Sequence, residues 1–139
     1  MALVALLAAV ELVALLRVDL TRQQLRAYDA RGRLVYQAPV SSGLPASPTP
    51  SGRFQVASKY ADTALTGSDY RIPHVPDVLC LGGGGLRPDA VCLHPAPWQE
   101  RAGERFGVPR SHGCVRLSSA TARWLFAHTP LGTPVEIRP

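Results

Sequence analysis

Along most of this chain apolar and polar residues alternate with the period of a strand, and one stretch alone carries the period of a helix. Leu16, Val18 and Leu20 alternate with Arg17 and Asp19, the two-residue repeat of a half-buried strand. Gln24 to Tyr28 reads as the next strand, Asp29-Ala30-Arg31-Gly32 as a turn and Leu34 to Val40 as a third strand, a spacing that predicts a meander. Ser41 to Ser51, rich in Ser, Pro and Gly, reads as a loop, and Gly52 to Ser58 as another strand. Tyr60 to Ser68 is polar with little periodicity. Two prolines confine any strand within Tyr70 to Leu81 to a short piece or a sheet edge. Ala90 to His94 is a short apolar strand, and Pro95 to Arg110 is a long loop of the kind that is often functional in compact domains. Ser118 or Ser119 caps a helix running through Ala120, Ala122, Leu125 and Phe126, with Trp124 in the core; Thr129 to Gly132 ends it and Val135 to Ile137 is a last strand. The pattern predicts a mainly β fold, a curved mixed sheet or sandwich with one short helix near its end.

Length and charge narrow the possibilities. The chain has 139 residues, enough for one domain with a core that needs no disulfide framework. Its net charge of +5 comes almost wholly from arginines that occur singly, without the basic runs and interleaved aromatics of a nucleic-acid surface. No nucleic-acid partner is expected, and a mildly basic surface suits an anionic polymer such as a bacterial wall. Residues 1–15 form an apolar N-terminal segment and residues 16–139 the domain proper. Ala2 to Val10 is wholly apolar, but no positive residues lead it, no clear small-x-small cleavage site follows, and Glu11 interrupts it. It reads as a remnant export signal or a short helix, and membrane contact is expected through it alone, if it is retained. Gly82 to Gly85 resembles a phosphate loop only in composition. No Lys-Ser/Thr follows, so a flexible loop is expected, and no cofactor.

The chemistry concentrates in Ser111-His112-Gly113-Cys114-Val115-Arg116. A cysteine is a weak nucleophile as a thiol, and a nearby imidazole can take its proton. His112, two residues before Cys114, would share its face of an extended strand, about 7 Å away along the chain. His94 is distant in sequence and must be brought in by the fold. Gly113 has no Cβ and leaves the backbone beside the sulfur open to a substrate. Three cysteines argue against a complete disulfide framework. Cys80 and Cys92 bridge each other or are two buried thiols. Cys92-x-His94 with His112-x-Cys114 also makes a Cys2His2 set, the zinc-binding alternative, although structural zinc sites space paired cysteines by two to four residues.

These segments, in their order, resemble the L,D-transpeptidase catalytic domain, or YkuD-type domain, over nearly the whole chain from Leu16 to Ile137. Arg17 to Tyr28 resembles the family's opening strands. Val40-Ser41-Ser42-Gly43 resembles its V-S-T/S-G, Thr49-Pro50-Ser51-Gly52-Arg53-Phe54 its T-P-x-G-x-F, Ser111 to Arg116 its S-H-G-C motif, and Gly132-Thr133-Pro134-Val135 its closing G-T-x-V. Sixteen residues separate His94 from Ser111, within the family's usual spacing. Pro95 departs from the Gly or Ser common after the upstream histidine; it keeps the carbonyl that would orient the imidazole, but fixes its own φ.

The resemblance implies a curved β-sheet and a monomer in the periplasm or extracytoplasmic envelope, acting on peptidoglycan stem peptides as donor and acceptor. Cys114 would attack the third residue, a diamino acid, of a tetrapeptide stem, release D-Ala, and pass the acyl group to a second stem in a 3→3 cross-link. Water as acceptor would make an L,D-carboxypeptidase, and a non-catalytic wall-binding domain is the remaining alternative. His94 would be the base, paired at rest as imidazolium with the Cys114 thiolate, and the N–H groups of Gly113 and Cys114 would form the oxyanion hole. His112 binds or polarises the substrate, or holds the loop. Ser111 bonds within the motif or turns the chain. Arg116 faces a stem carboxylate or holds the loop through an internal ion pair, and Trp98 lines the donor cleft.

Overall fold

The computed structural model describes residues 11–139; most of the apolar N-terminal segment, residues 1–10, lies outside them. The alternating segments form the expected meander. β1 (Leu15–Asp19), β2 (Gln24–Tyr28) and β3 (Leu34–Pro39) pair antiparallel in turn. Leu16, Val18, Leu25 and Ala27 are fully buried on the inner face, while Arg17 and Arg26 stand opposite one another on the outer one. Val13 and Ala14 already belong to the fold through backbone bonds to the carbonyls of His128 and Tyr28.

β4 (Gly52–Thr66) and β5 (Arg71–Gly82) follow as one long hairpin, and β6 (Cys92–Pro95) pairs antiparallel with β5. A short helix, α1 (Pro97–Arg101), precedes β7 (Val115–Leu117), then come α2 (Ser119–His128) and β8 (Pro134–Arg138). The eight strands make one mixed sheet in the order β3-β2-β1-β8-β4-β5-β6-β7, parallel at β1–β8 and at β6–β7. The C-terminal strand thus enters the middle of the sheet and joins the meander to the long hairpin. α2 is capped by Ser118, whose hydroxyl accepts the Thr121 N–H at 3.1 Å. It lays Ala122 and Leu125 on the core formed by Leu16, Val18, Leu25, Val56, Leu79, Leu93, Leu117 and Val135.

Two features depart from the sequence expectation. Residues 60–66 continue β4 despite their polarity. Beyond the main sheet the hairpin pairs only with itself, so both its faces stay largely open and no clean alternation is imposed on it. Its prolines are tolerated for the same reason: Pro73 and Pro76 lie where β5 is an edge, whereas Leu79 and Cys80 are flanked by β4 and β6. The second departure is α1, inside the expected loop. Pro97 opens it with a preset φ and Glu100 lies in its first turn.

Candidate active site

The Cys114 motif sits where β7 begins, beside β6. Leu93 pairs with Val115 and His94 with Arg116, so the parallel ladder brings His94 to the motif although it lies upstream in sequence. Cys114 therefore stands next to Cys92 at the end of that ladder, and the Cys92 N–H donates to its sulfur at 3.3 Å. His94 is buried. Its Nδ1 lies 2.7 Å from the Pro95 carbonyl, an acceptor only, so Nδ1 carries the proton and Nε2 is left with a free lone pair. Proline at this position thus keeps the orienting carbonyl.

The loop before Cys114 is bonded on every side. Ser111 Oγ donates to the Cys114 carbonyl and accepts the Gly113 N–H at 3.1 Å. Thr49 Oγ1 donates to the Gly113 carbonyl at 2.7 Å and accepts the Gly43 N–H at 2.9 Å. The backbones of Ser42 and Leu44 bond Ser111, and Ser41 bridges to Arg116. Gly113 has φ +134, a value that favours glycine. The V-S-S-G and T-P-S-G segments, each weak as a signal, are the brackets that hold the cysteine loop. Because Gly113 N–H is committed to Ser111, it is not free as an oxyanion donor; the Cys114 N–H, with no acceptor among the described residues, is. Residues 112–114 form a bend rather than a strand, so His112 does not share a strand face with the sulfur. It is exposed, its ring 5.2 Å from that of Tyr70.

Two cavities open on Cys114, and His94, His112, Asp69 and Tyr70 line both. The larger, about 430 Å³, is also walled by Tyr60, Thr63, Asp89, Cys80 and Cys92. The smaller, about 200 Å³, is walled by Leu65, Ile72, Trp98, Ser111 and Arg116. Arg116 forms no ion pair among the described residues. Its guanidinium lies 5.6 Å from the Trp98 ring centre and 3.4 Å from Gln99 Oε1, partly buried beside the sulfur. Gln99, itself buried, donates to Ser41 Oγ at 3.1 Å and to the Arg105 carbonyl at 3.3 Å, tying α1 to the motif.

Burial decides the protonation states. It lowers the His94 pKa to about 4, overcoming the opposing pull of the Pro95 carbonyl, and the nearby Arg116 charge lowers it further. Burial also raises the Cys114 thiol, against smaller lowering effects of the Cys92 N–H and Arg116. Both shifts favour the neutral thiol and neutral imidazole over the expected thiolate–imidazolium pair. Too little solvent remains to stabilise separated charge.

Cys80 and Cys92 are disulfide-bonded partners across β5 and β6, and Cys114 is free. The bond removes Cys92 from the Cys2His2 zinc set. Sequence reasoning missed Gln99 and the wall of the long hairpin, Leu65, Asp69 and Tyr70. The Gly67-Ser68-Asp69 turn signal was the clue, since Gly67 N–H closes the hairpin onto the Tyr70 carbonyl at 2.9 Å.

Known proteins share this fold. The chain is 30% identical over 116 residues to L,D-transpeptidase 2 of Mycobacterium tuberculosis (strain CDC 1551 / Oshkosh), covering 76% of this chain and 26% of that protein. It superposes on the crystal structure of an L,D-transpeptidase from Mycobacterium tuberculosis H37Rv with a TM-score of 0.75 at 26% identity, covering 90% of this chain and 57% of that one. The Ldtfm–avibactam carbamoyl enzyme matches with a TM-score of 0.77 at 28% identity, over 91% of this chain and 49% of that one. The chain thus spans between about a quarter and just over half the length of these relatives. The family described as the L,D-transpeptidase catalytic domain, YkuD, matches residues 14–137, and the chain belongs to it.

Proposed function

We propose that this chain catalyses L,D-transpeptidation of peptidoglycan in the extracytoplasmic envelope, with Cys114 as nucleophile and His94 as base. The observation that carries the reading is the shared cavity of Cys114 and His94, in which the Pro95 carbonyl holds Nδ1–H and leaves Nε2 as the proton acceptor. A donor stem carbonyl placed over the sulfur is attacked as the thiol proton passes to Nε2. The Coulomb attraction of the nascent thiolate and imidazolium then helps an ionisation that burial opposes at rest. The Cys114 N–H receives the oxyanion; loss of such a donor typically costs about 10²–10³ in rate. His94 gives its proton to the departing D-Ala amine, and a thioester remains on Cys114. The side-chain amine of a second stem then attacks that thioester, loses its proton to Nε2, and expels the cysteine sulfur in a 3→3 cross-link.

The walls suit that traffic. Arg116, held over the Trp98 ring, offers the smaller cavity a guanidinium for a donor carboxylate. Asp69 and Asp89 in the larger cavity suit an ammonium, the group an acceptor stem brings. His112 and Tyr70 form the rim between them, and Gly113 supplies the turn that presents the sulfur. The domain works as a monomer and without a metal or cofactor, since the thiol, the imidazole and one backbone N–H complete the acyl transfer.

Intact mass after incubation with tetrapeptide muropeptides tests the reading. The wild type gains an acyl adduct and forms cross-linked dimers; Cys114→Ala does neither. Tripeptide product without dimer would assign the carboxypeptidase activity instead. Binding to sacculi by both proteins, with no adduct on the wild type, would refute the enzyme reading in favour of a wall-binding domain.

A further inference from the structure

The three cysteines come together where β5 and β6 meet the bend that leads into β7. Cys80 on β5 is the register partner of Cys92 on β6. Cys92 precedes Leu93, the register partner of Val115, and so neighbours Cys114, which lies in the bend just before β7. Cys80 and Cys92, being in register, project from the same face of the sheet. All three cysteines line the same cavity. Cys114 packs on the apolar cluster that Cys80 and Cys92 build with Val75 and Val78, and its sulfur is 3.3 Å from the backbone nitrogen of Cys92. The disulfide runs along the direction in which β5, β6 and β7 follow one another. Its near sulfur, seen from Cys114, is that of Cys92, and its far sulfur is that of Cys80. Exchange requires a thiolate to attack one sulfur of a disulfide and expel the other, and Cys92 is the disulfide cysteine that neighbours Cys114.

We propose that Cys92 is a resolving cysteine for Cys114, through which the nucleophile is reversibly masked. Deprotonated Cys114 attacks the Cys92 sulfur, a Cys92–Cys114 disulfide forms as the Cys80–Cys92 bond breaks, and the Cys80 thiolate leaves and takes up a proton. One disulfide is exchanged for another, so no external oxidant or reductant enters the step. Reverse attack by Cys80 restores the nucleophile. In the exchanged form Cys114 cannot be acylated, nor can it be oxidised to sulfinic or sulfonic acid, the irreversible fates of an accessible catalytic thiol.

Sulfur connectivity tests this without reference to transferase activity, so its failure is distinct from failure of the enzyme reading. The full chain is held at pH 8 without reductant, quenched in acid, labelled with N-ethylmaleimide and mapped unreduced after peptic digestion. A fraction of molecules should carry the Cys92–Cys114 linkage with the label on Cys80, beside a majority labelled on Cys114. In Cys80→Ser the leaving sulfur is gone. Glutathione disulfide should first cap Cys114, and Cys92 should then displace the glutathione and close the Cys92–Cys114 bond. Maleimide labelling of Cys114 should fall at least about tenfold and return with dithiothreitol. Cys92→Ser under the same conditions should stop at the Cys114 glutathione adduct. The Cys92–Cys114 linkage in either the wild type or Cys80→Ser supports the proposal, and its absence from both overturns it.

Discussion

A buried neutral histidine leaves a signature in how stability responds to acid. His94 titrates near 4 in the folded protein, whereas an exposed histidine in the unfolded chain titrates near its ordinary 6.5. Above pH 6.5 both states hold a neutral ring and this residue adds no pH dependence. As pH falls from 6.5 to 4 the unfolded chain takes up a proton that the folded one refuses, so stability drops throughout that window and the loss levels off below it. A gap of about 2.5 pH units at 1.36 kcal/mol each amounts to roughly 3 kcal/mol, a sizeable part of a typical folding free energy. Urea unfolding at pH 7, 5.5 and 4 measures it, with His94→Gln as the comparison. Glutamine can still donate to the Pro95 carbonyl but does not titrate. Carboxylates that are stabilised in the fold, such as Asp29 with its Arg33 bonds, also lose stability in acid. They do so equally in both proteins, so the difference between wild type and variant isolates His94. That difference should narrow by about 3 kcal/mol between pH 7 and pH 4. Parallel curves for the two proteins would refute the reasoning, because they would mean that His94 is protonated as easily in the fold as out of it.

Three further outcomes are expected. Because burial raises the Cys114 thiol, its alkylation by iodoacetamide should climb about tenfold per pH unit between pH 6 and 8.5, where even an ordinary thiol is only about 3% thiolate at pH 7; a plateau below pH 7 would instead signal a thiolate–imidazolium pair at rest. Cys80→Ser/Cys92→Ser opens a link across a sequence separation of 12 residues, which should cost about 3 kcal/mol and lower the melting temperature by roughly 10 °C in differential scanning calorimetry. Gln99→Ala removes the side-chain partner of Ser41 Oγ and Arg116 and one of the two donors to the Arg105 carbonyl, and should cost about 2 kcal/mol in urea titrations, more than the same change at exposed Gln37.

The sequence was readable wherever one physical demand dominated a segment. β1 and β2 each bury one face, so alternation set their ends closely; α2 carried both a serine cap and a helical repeat. The S-H-G-C motif and its upstream histidine were legible because their residue types are chemically unusual together, and the weak segments at 40–43 and 49–54 gained meaning from their order. What escaped was set by contacts between distant parts. The outer half of β4 and β5 owes its strands to mutual pairing, so its sequence carries no core pattern. α1 spans five residues, too few for periodicity to register.

Protonation was illegible for a deeper reason. A cysteine beside a histidine suggests an ion pair when each is imagined in water. The sequence does not state how much water the fold leaves, and here burial acts on both groups in the direction that suppresses charge. Arg116 illustrates the same limit. Among acids in the loop it reads as half of an ion pair, but folding places it against Trp98 and Gln99, partly buried beside the sulfur. A guanidinium kept there without a carboxylate partner lowers the charge cost of a thiolate and disfavours an imidazolium. It therefore favours the thiolate that attacks and opposes the imidazolium that forms with it. The residues that name the chemistry were visible from the start; the residues that set its protonation became visible only once the sheet had brought them together.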